Sequence, residues 1–288
     1  MKELKAAEIT QAVIGLVKKA NFSLRKDVLS ALRKAYGHEK NRRAKAIIKA
    51  ILDNAACAQK ENLAICQDTG MPIVFVKLGQ DLKISGDLKA AIRKGIETGY
   101  KKYSLRNSIV IDPLFRGKPG FSPCVIHIDI VSGNKLKLNL LPKGFGCENK
   151  SQLKMFKPTA SLQEIEEFII EAVKSAGADA CPPYVVGVGI GGSADYAMLM
   201  AKEALLNKVT RTPSHQDTRS QGHQVTGVVK LERDLLKEIN KLNIGPMGLG
   251  GKTTVLAVNI QTHPTHIAGL PVAVNISCHA LRSAEKVL

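Results

Sequence analysis

The chain has 288 residues, 44% hydrophobic and 23% charged, ordinary values for a globular protein long enough to bury a large core without disulfides or a structural metal. Its longest apolar runs, such as 255–260 and 271–276, fall well short of a membrane span, and the N-terminal residues open directly into an amphipathic pattern with no apolar signal core, so a cytoplasmic protein is expected. A formal charge of +17 raises nucleic acid as a partner, but the lysines are scattered over helix surfaces, aromatics are 4% and Trp is absent, which leaves few platforms for stacking bases; solvated lysine surface is the simpler reading, and a positive field also suits an anionic substrate.

The first third reads as helical. Ile9, Val13, Leu16 and Val17 form one apolar stripe, and Leu24, Val28, Leu29 and Leu32 form a second. Residues 44–58 predict a third, alanine-rich helix that ends before Cys66. From Pro72 the pattern changes: 73–76 is a buried-strand run and 87–103 a helix. Residues 124–131 and 135–141 alternate as strands, and Ser132-Gly133-Asn134 between them predicts a hairpin. Residues 161–175 predict a helix with Ser161 as N-cap and Glu164 three residues on. A strand over 184–190, a helix over 193–206 and strands over 255–260 and 272–276 complete the reading. The expected fold is mixed α/β: a helical N-terminal segment, 1–64, packed on an α/β segment, 65–288, within one catalytic domain.

Two glycine-rich stretches imitate nucleotide sites. Gly187-x-Gly189-x-x-Gly192 follows a strand and precedes a helix, but no acidic residue closes a strand about twenty positions later. Its backbone N–H groups at a helix N-terminus could still receive a carboxylate or a cluster sulfur. The segment 248–254 resembles a P-loop, yet Pro246 stands where the pattern needs glycine, and the residues run from loop into strand.

Six cysteines at wide spacing, with no C-x-x-C pair, argue against a disulfide framework and against the common zinc signatures. Any metal site must draw on distant segments. Several polar segments set a thiol, carboxylate, imidazole or guanidinium beside Gly or Pro: 65–70, 106–108, 143–150, 181–183, 263–266 and 277–279. Fixed loops that carry such groups are where function tends to sit.

The stretches CQDTGMP, RNSIVIDPL, KGFGCENKS, CPPYVVGVGIGG, NIGPMGLGGKTT, THPTHIAGLPVA and SCHALRSAE together closely resemble the α subunit, or N-terminal domain, of class I iron-sulfur fumarate hydratases and the related L(+)-tartrate dehydratase α subunit. The resemblance runs over essentially the whole chain. It implies a [4Fe–4S] cluster held by Cys66, Cys181 and Cys278, with one iron left open for substrate. It also implies that Arg106 clamps a carboxylate, that Gln67 orients substrate and that Gly146 offers a backbone N–H. Asp68 and His266 are the proton-transfer candidates. Which is acid and which base stays open. Cys57 and Cys124 read as packing residues. Cys147, where the family carries a small glycine-serine run, is either a Ser substitute or a reactive thiol.

The implied activity is reversible hydration of fumarate to malate. L(+)-tartrate dehydration is the close alternative, and a basic nucleic-acid-binding protein a distant one. In the family a second domain supplies the remaining substrate contacts. The resemblance therefore implies a β subunit as partner, a small dicarboxylate substrate, no membrane, and a higher-order heteromer such as (αβ)2.

Overall fold

A computed structural model describes residues 2–209 and 222–288. The first apolar stripe folds as α1 (Ala6–Phe22), which buries Ile9, Val13, Leu16 and Val17; at its start the Glu8 carboxylate accepts the Lys5 backbone N–H at 2.9 Å. The second folds as α2 (Lys26–His38), burying Val28 and Leu32. The third is α3 (Arg42–Glu61), whose first turn is held by the Asn41 side chain, accepting from the N–H groups of Arg43 and Ala44 at 2.9 and 3.2 Å. The chain divides into two units: Met1–Arg25, Asn54–Phe145 and Arg282–Leu288 form the first, and Lys26–Asp53 with Gly146–Leu281 the second. The N-terminal helices are thus shared out, α1 going to the first unit and α2 with the start of α3 to the second.

In the first unit, β2 (Met71–Gly79) is an inner strand of a four-stranded sheet with β4 (Val125–Val131), β5 (Leu136–Lys143) and β10 (Ala284–Val287), in the order β10-β5-β2-β4. A short parallel pair, β1 (Lys2–Lys5) with β3 (Leu82–Ser85), stands apart. The helix α4 (Leu88–Lys102) connects β3 to β4; its cap is the Asp87 carboxylate, which accepts from the Ala90 N–H at 2.9 Å. Its buried Ile92, Ile96 and Tyr100 share a core with α1 and with Val74, Val76, Leu138 and Leu140.

The hairpin expected between β4 and β5 does not form. Both strands pair with β2, β4 in parallel and β5 antiparallel, so β2 lies between them. The reason is burial: β2 carries the continuous apolar run Ile73–Val76 and takes an inner position, whereas the outer positions of β4 are exposed. The Ser132-Gly133-Asn134 turn instead straddles the end of β2. The N–H groups of Gly79, Gln80 and Asp81 donate to the carbonyls of Lys135, Val131 and Gly133, each at 2.9 Å. Only glycine fits at position 79, since a Cβ there would lie 2.3 Å from the Gly133 carbonyl oxygen.

The second unit repeats this arrangement. Its sheet has the order β6-β9-β7-β8, formed by β6 (Gln152–Phe156), β7 (Tyr184–Gly192), β8 (Val255–Thr265) and β9 (Leu270–Ser277). Again an inner strand, β7, separates a parallel neighbour, β8, from an antiparallel one, β9. The turn between β8 and β9 passes the end of β7, where the Thr265 hydroxyl bonds the Gly192 carbonyl at 3.0 Å. A one-turn α5 (Phe145–Glu148) leads into β6, and α6 (Leu162–Ala176) starts with the expected capping box of Ser161 and Glu164.

The helix α7 (Ala194–Ala204) explains the first glycine-rich stretch. Residues 187 and 189 lie within β7 itself, and a Cβ at either would come 2.0–2.1 Å from the carbonyl oxygens of Ala201 and Ala197. These glycines let a helix lie close on a strand; they do not form a phosphate turn. At the start of α7 the exposed Asp195 accepts from the Ser193 hydroxyl at 2.5 Å. Asp195 is accordingly held below the usual carboxylate range by that bond.

The sequence reading missed α8 (Gly222–Lys241), although Val228, Leu231, Leu235 and Ile239 have helical spacing and pack in the second core. From α8 the buried Glu232 accepts the Ile260 N–H at 2.7 Å, closing part of the outer edge of β8. Among the described residues no helix is long and apolar enough to cross a membrane.

Candidate active site

In the first unit the segment 65–70 is held at Ile65 and at residues 68–70. Ile65 is tied to α1 and α3, its N–H donating to the Asn21 carbonyl at 3.0 Å and its carbonyl accepting from the Asn54 amide at 2.9 Å. The next carbonyls are taken by buried side chains. Arg282 Nη2 donates to the Asp68 carbonyl at 2.7 Å, and the Tyr100 hydroxyl reaches those of Thr69 and Gly70 at 2.9 and 3.3 Å. Burial pushes the Tyr100 phenol well above its ordinary pKa, so it remains a donor. Gly70 adopts a positive φ of 76°, and a Cβ there would sit 2.7 Å from the Pro142 carbonyl carbon, so both the backbone and the space call for glycine.

This backbone carries four of the expected site residues. The Cys66 thiol is half-buried and 3.6 Å from the Gln67 amide oxygen, while Gln67 itself is exposed. The Asp68 carboxylate is oriented by two backbone donors, Gly70 N–H to Oδ1 and Phe145 N–H to Oδ2, both at 2.9 Å. Each oxygen keeps a further lone pair. The Thr69 hydroxyl accepts the Arg106 N–H at 3.1 Å and faces the Arg106 carbonyl at 3.4 Å, which leaves the exposed Arg106 side chain beside the Cys66 loop. Cys66, Gln67, Asp68 and Arg106 therefore belong to one local construction.

The second unit assembles another. Cys181 holds a positive φ of 59°, uncommon for a residue with a Cβ, between an N–H bonded to the Ala178 carbonyl and a carbonyl bonded to His279. His279 donates to that carbonyl twice, from its backbone N–H at 3.4 Å and from Nδ1 at 3.1 Å. Cys278 and Cys181 are brought together in this way, and His279 has a structural task. The Cys147 thiol is buried and donates to the Ala180 carbonyl at 3.3 Å, so it supports the same turn as a serine would.

Next to Cys147, Glu148 is bound on both oxygens, one by Lys202 Nζ and the other by the Asn275 amide at 3.2 Å; Asn275 also reaches Ser151 at 2.9 Å. Neither Lys202 nor Asn275 has a sequence signal that would single it out. The exposed Gly146 precedes Cys147 in α5. His266 is exposed in the turn between β8 and β9, and its Nδ1 accepts the Ala268 N–H at 3.2 Å, which leaves Nε2 to carry the proton in the neutral ring. The P-loop-like stretch receives the chain's own carboxylate: buried Glu39 accepts the Lys252 N–H at 2.7 Å, and Asn243 accepts that of Gly251 at 2.9 Å.

The cysteine chemistry separates into two groups. Cys66, Cys181 and Cys278 are half-buried thiols on fixed turns. Cys124 is enclosed, and burial pushes it up to about 11, which suits a packing residue. Among the described residues no three His, Cys, Asp or Glu gather as a single metal ion would require. Half-buried thiols are soft donors of the kind that an iron–sulfur cluster takes.

The profile of the fumarate hydratase (fumerase) family matches residues 10–287. The chain belongs to the fumarate hydratase family. Its family relatives include a Methanocaldococcus jannaschii protein provisionally named L(+)-tartrate dehydratase subunit alpha, 38% identical over 287 residues that cover 97% of each chain. The L(+)-tartrate dehydratase subunit alpha of Escherichia coli K12 is 28% identical over 286 residues, 98% of this chain and 91% of that one. Membership makes this chain a hydro-lyase of the fumarate hydratase and tartrate dehydratase group.

Proposed function

We propose that the chain is the catalytic α subunit of a [4Fe–4S] hydro-lyase that reversibly hydrates fumarate to malate, completed by a β subunit. The observation that carries this reading is the single construction holding Cys66, Gln67, Asp68 and Arg106, within a chain matched to the family from residue 10 to residue 287. Cys66, Cys181 and Cys278 would hold the cluster, whose open iron supplies Lewis acidity toward a substrate hydroxyl and carboxylate.

The remaining chemistry falls to side chains. The planar fork of Arg106 matches a carboxylate with two N–H donors, and Gly146 can offer a backbone N–H to a carboxylate. Gln67 orients the substrate from beside Cys66. Asp68, aimed by the Gly70 and Phe145 N–H groups, and His266, with Nε2 outward, are the two groups available to move the proton at the carbon next to a carboxylate. Lys202 and Glu148 keep the Gly146 turn in place.

A second reading, L(+)-tartrate dehydration, is favoured by the names of the relatives in Methanocaldococcus jannaschii and Escherichia coli. Malate and tartrate, the two hydroxy acids concerned, differ by a hydroxyl, which a site discriminates through its polar contacts. The test is anaerobic co-production with the β subunit, iron and sulfide analysis, and assays on fumarate, malate and both tartrates. Hydration of fumarate by an iron-loaded complex is expected. Turnover of L(+)-tartrate alone would select the second reading, and a complex without iron or activity would end both.

A further inference from the structure

Arg282 is 3% exposed, yet its Nε and Nη1 have no acceptor, and among the described residues no carboxylate pairs with it. Its one hydrogen bond runs from Nη2 to the Asp68 carbonyl, two residues beyond Cys66. A buried guanidinium without a counter-charge works against folding stability, so an apolar side chain of similar volume would suit the fold better. The contact it does make is directed at the loop that carries Cys66, Gln67 and Asp68. Tyr100 approaches the same loop, bonding the next two carbonyls.

We infer that Arg282 is a positioning residue for Cys66: it fixes the backbone that aims this thiol, at the expense of the stability an apolar residue would provide. The significance for catalysis rests on the hydro-lyase reading; the positioning itself does not. Without Arg282 the Asp68 carbonyl loses its donor. Residues 66–68 are then held from the Ile65 bonds on one side and from Tyr100 and the Asp68 carboxylate on the other, and the backbone between them loosens.

The experiment compares the full-length wild type, Arg282→Met and Arg282→Lys without iron. Iodoacetamide labelling is followed by peptide mass spectrometry, with exposed Cys57 on α3 as the internal standard. In Arg282→Met, Cys66 should label several-fold faster relative to Cys57, with Cys181 and Cys278 unchanged and a thermal midpoint equal to or above wild type. Arg282→Lys, which can still donate to the carbonyl, should restore the wild-type ratio. With the β subunit and reconstituted iron, Arg282→Met should retain less iron and show an altered cluster spectrum, and Arg282→Lys should not. Equal Cys66 ratios in all three chains would overturn the inference, as would Arg282→Lys behaving like Arg282→Met. An Arg282→Met chain that fails to fold, or labels faster at every cysteine, would assign Arg282 to the fold and overturn it too. If the wild-type complex holds no iron, the cluster reading falls while the labelling ratio still decides the role of Arg282.

Discussion

The six cysteines differ in what surrounds them, and that difference sets their chemistry. Cys66, Cys181 and Cys278 stand half-buried on turns whose carbonyls are bonded by Arg282, Tyr100 and His279. Cys124 sits in the core of the first unit as expected, whereas Cys57, read from the sequence as a packing residue, is exposed on α3. Changing any of the first three to Ser should abolish both the brown chromophore and activity in the αβ complex, whereas Cys57→Ser and Cys124→Ser should leave iron content near wild type. Iron analysis together with the visible spectrum measures this, and full cluster content in a Cys66, Cys181 or Cys278 variant would defeat the ligand assignment. Cys124, held up to about 11 by burial, should also resist alkylation at neutral pH in the native chain. The three ligand candidates were legible in the sequence only through whole-segment resemblance, since their spacing matches no compact metal motif. Arg282 and Tyr100 were not legible as loop anchors at all. Their role is a contact between distant parts of the chain, and nothing local records it.

At the scale of elements, local periodicity carried most of the fold. Stripes at helical spacing gave α1 and α2, and the Ser161–Glu164 box marked the start of α6. What periodicity cannot encode is the partner of a strand. In both sheets the strands joined by a short turn are separated by an inner strand, β2 or β7, so turn chemistry at 132–134 pointed to a pairing that burial overrides. The glycines of β7 show the same limit: their spelling suggests a phosphate loop, while their task is the close approach of α7. Gly189→Ala should therefore destabilise the chain by roughly 1–3 kcal/mol through overpacking. Chemical denaturation would detect this as a lower midpoint with an unchanged slope. Gly133→Ala meets no neighbouring atom within 4 Å, but its φ of 100° makes it a strained control whose cost comes from backbone alone. A Gly189→Ala chain as stable as wild type would mean that α7 does not need those glycines.

For the molecule as a whole, the relatives' names set the expectation: each is a subunit alpha, and this chain aligns with nearly its full length to them. The loop that follows Arg106 carries Ile111, Leu114 and Phe115, all strongly exposed, although burial of such side chains is favourable. A chain of this kind, produced alone, should associate with itself. On the proposed reading it should also turn over almost no substrate, because a β subunit supplies the remaining contacts, and a site left open to water loses both orientation and the electrostatic advantage of a dry site. Titrating in the β subunit should restore fumarate hydration to a plateau at a fixed stoichiometry. In that complex Arg106→Ala should lower turnover by about 100-fold or more, as loss of a charge-assisted contact made to the reacting substrate would, while iron content stays at the wild-type level, since Arg106 touches the Cys66 loop only through its backbone. Hydration of fumarate at ordinary enzymatic rates by the purified chain alone would remove the need for a second subunit, and loss of iron together with turnover in Arg106→Ala would move that residue from the substrate to the support of the cluster loop.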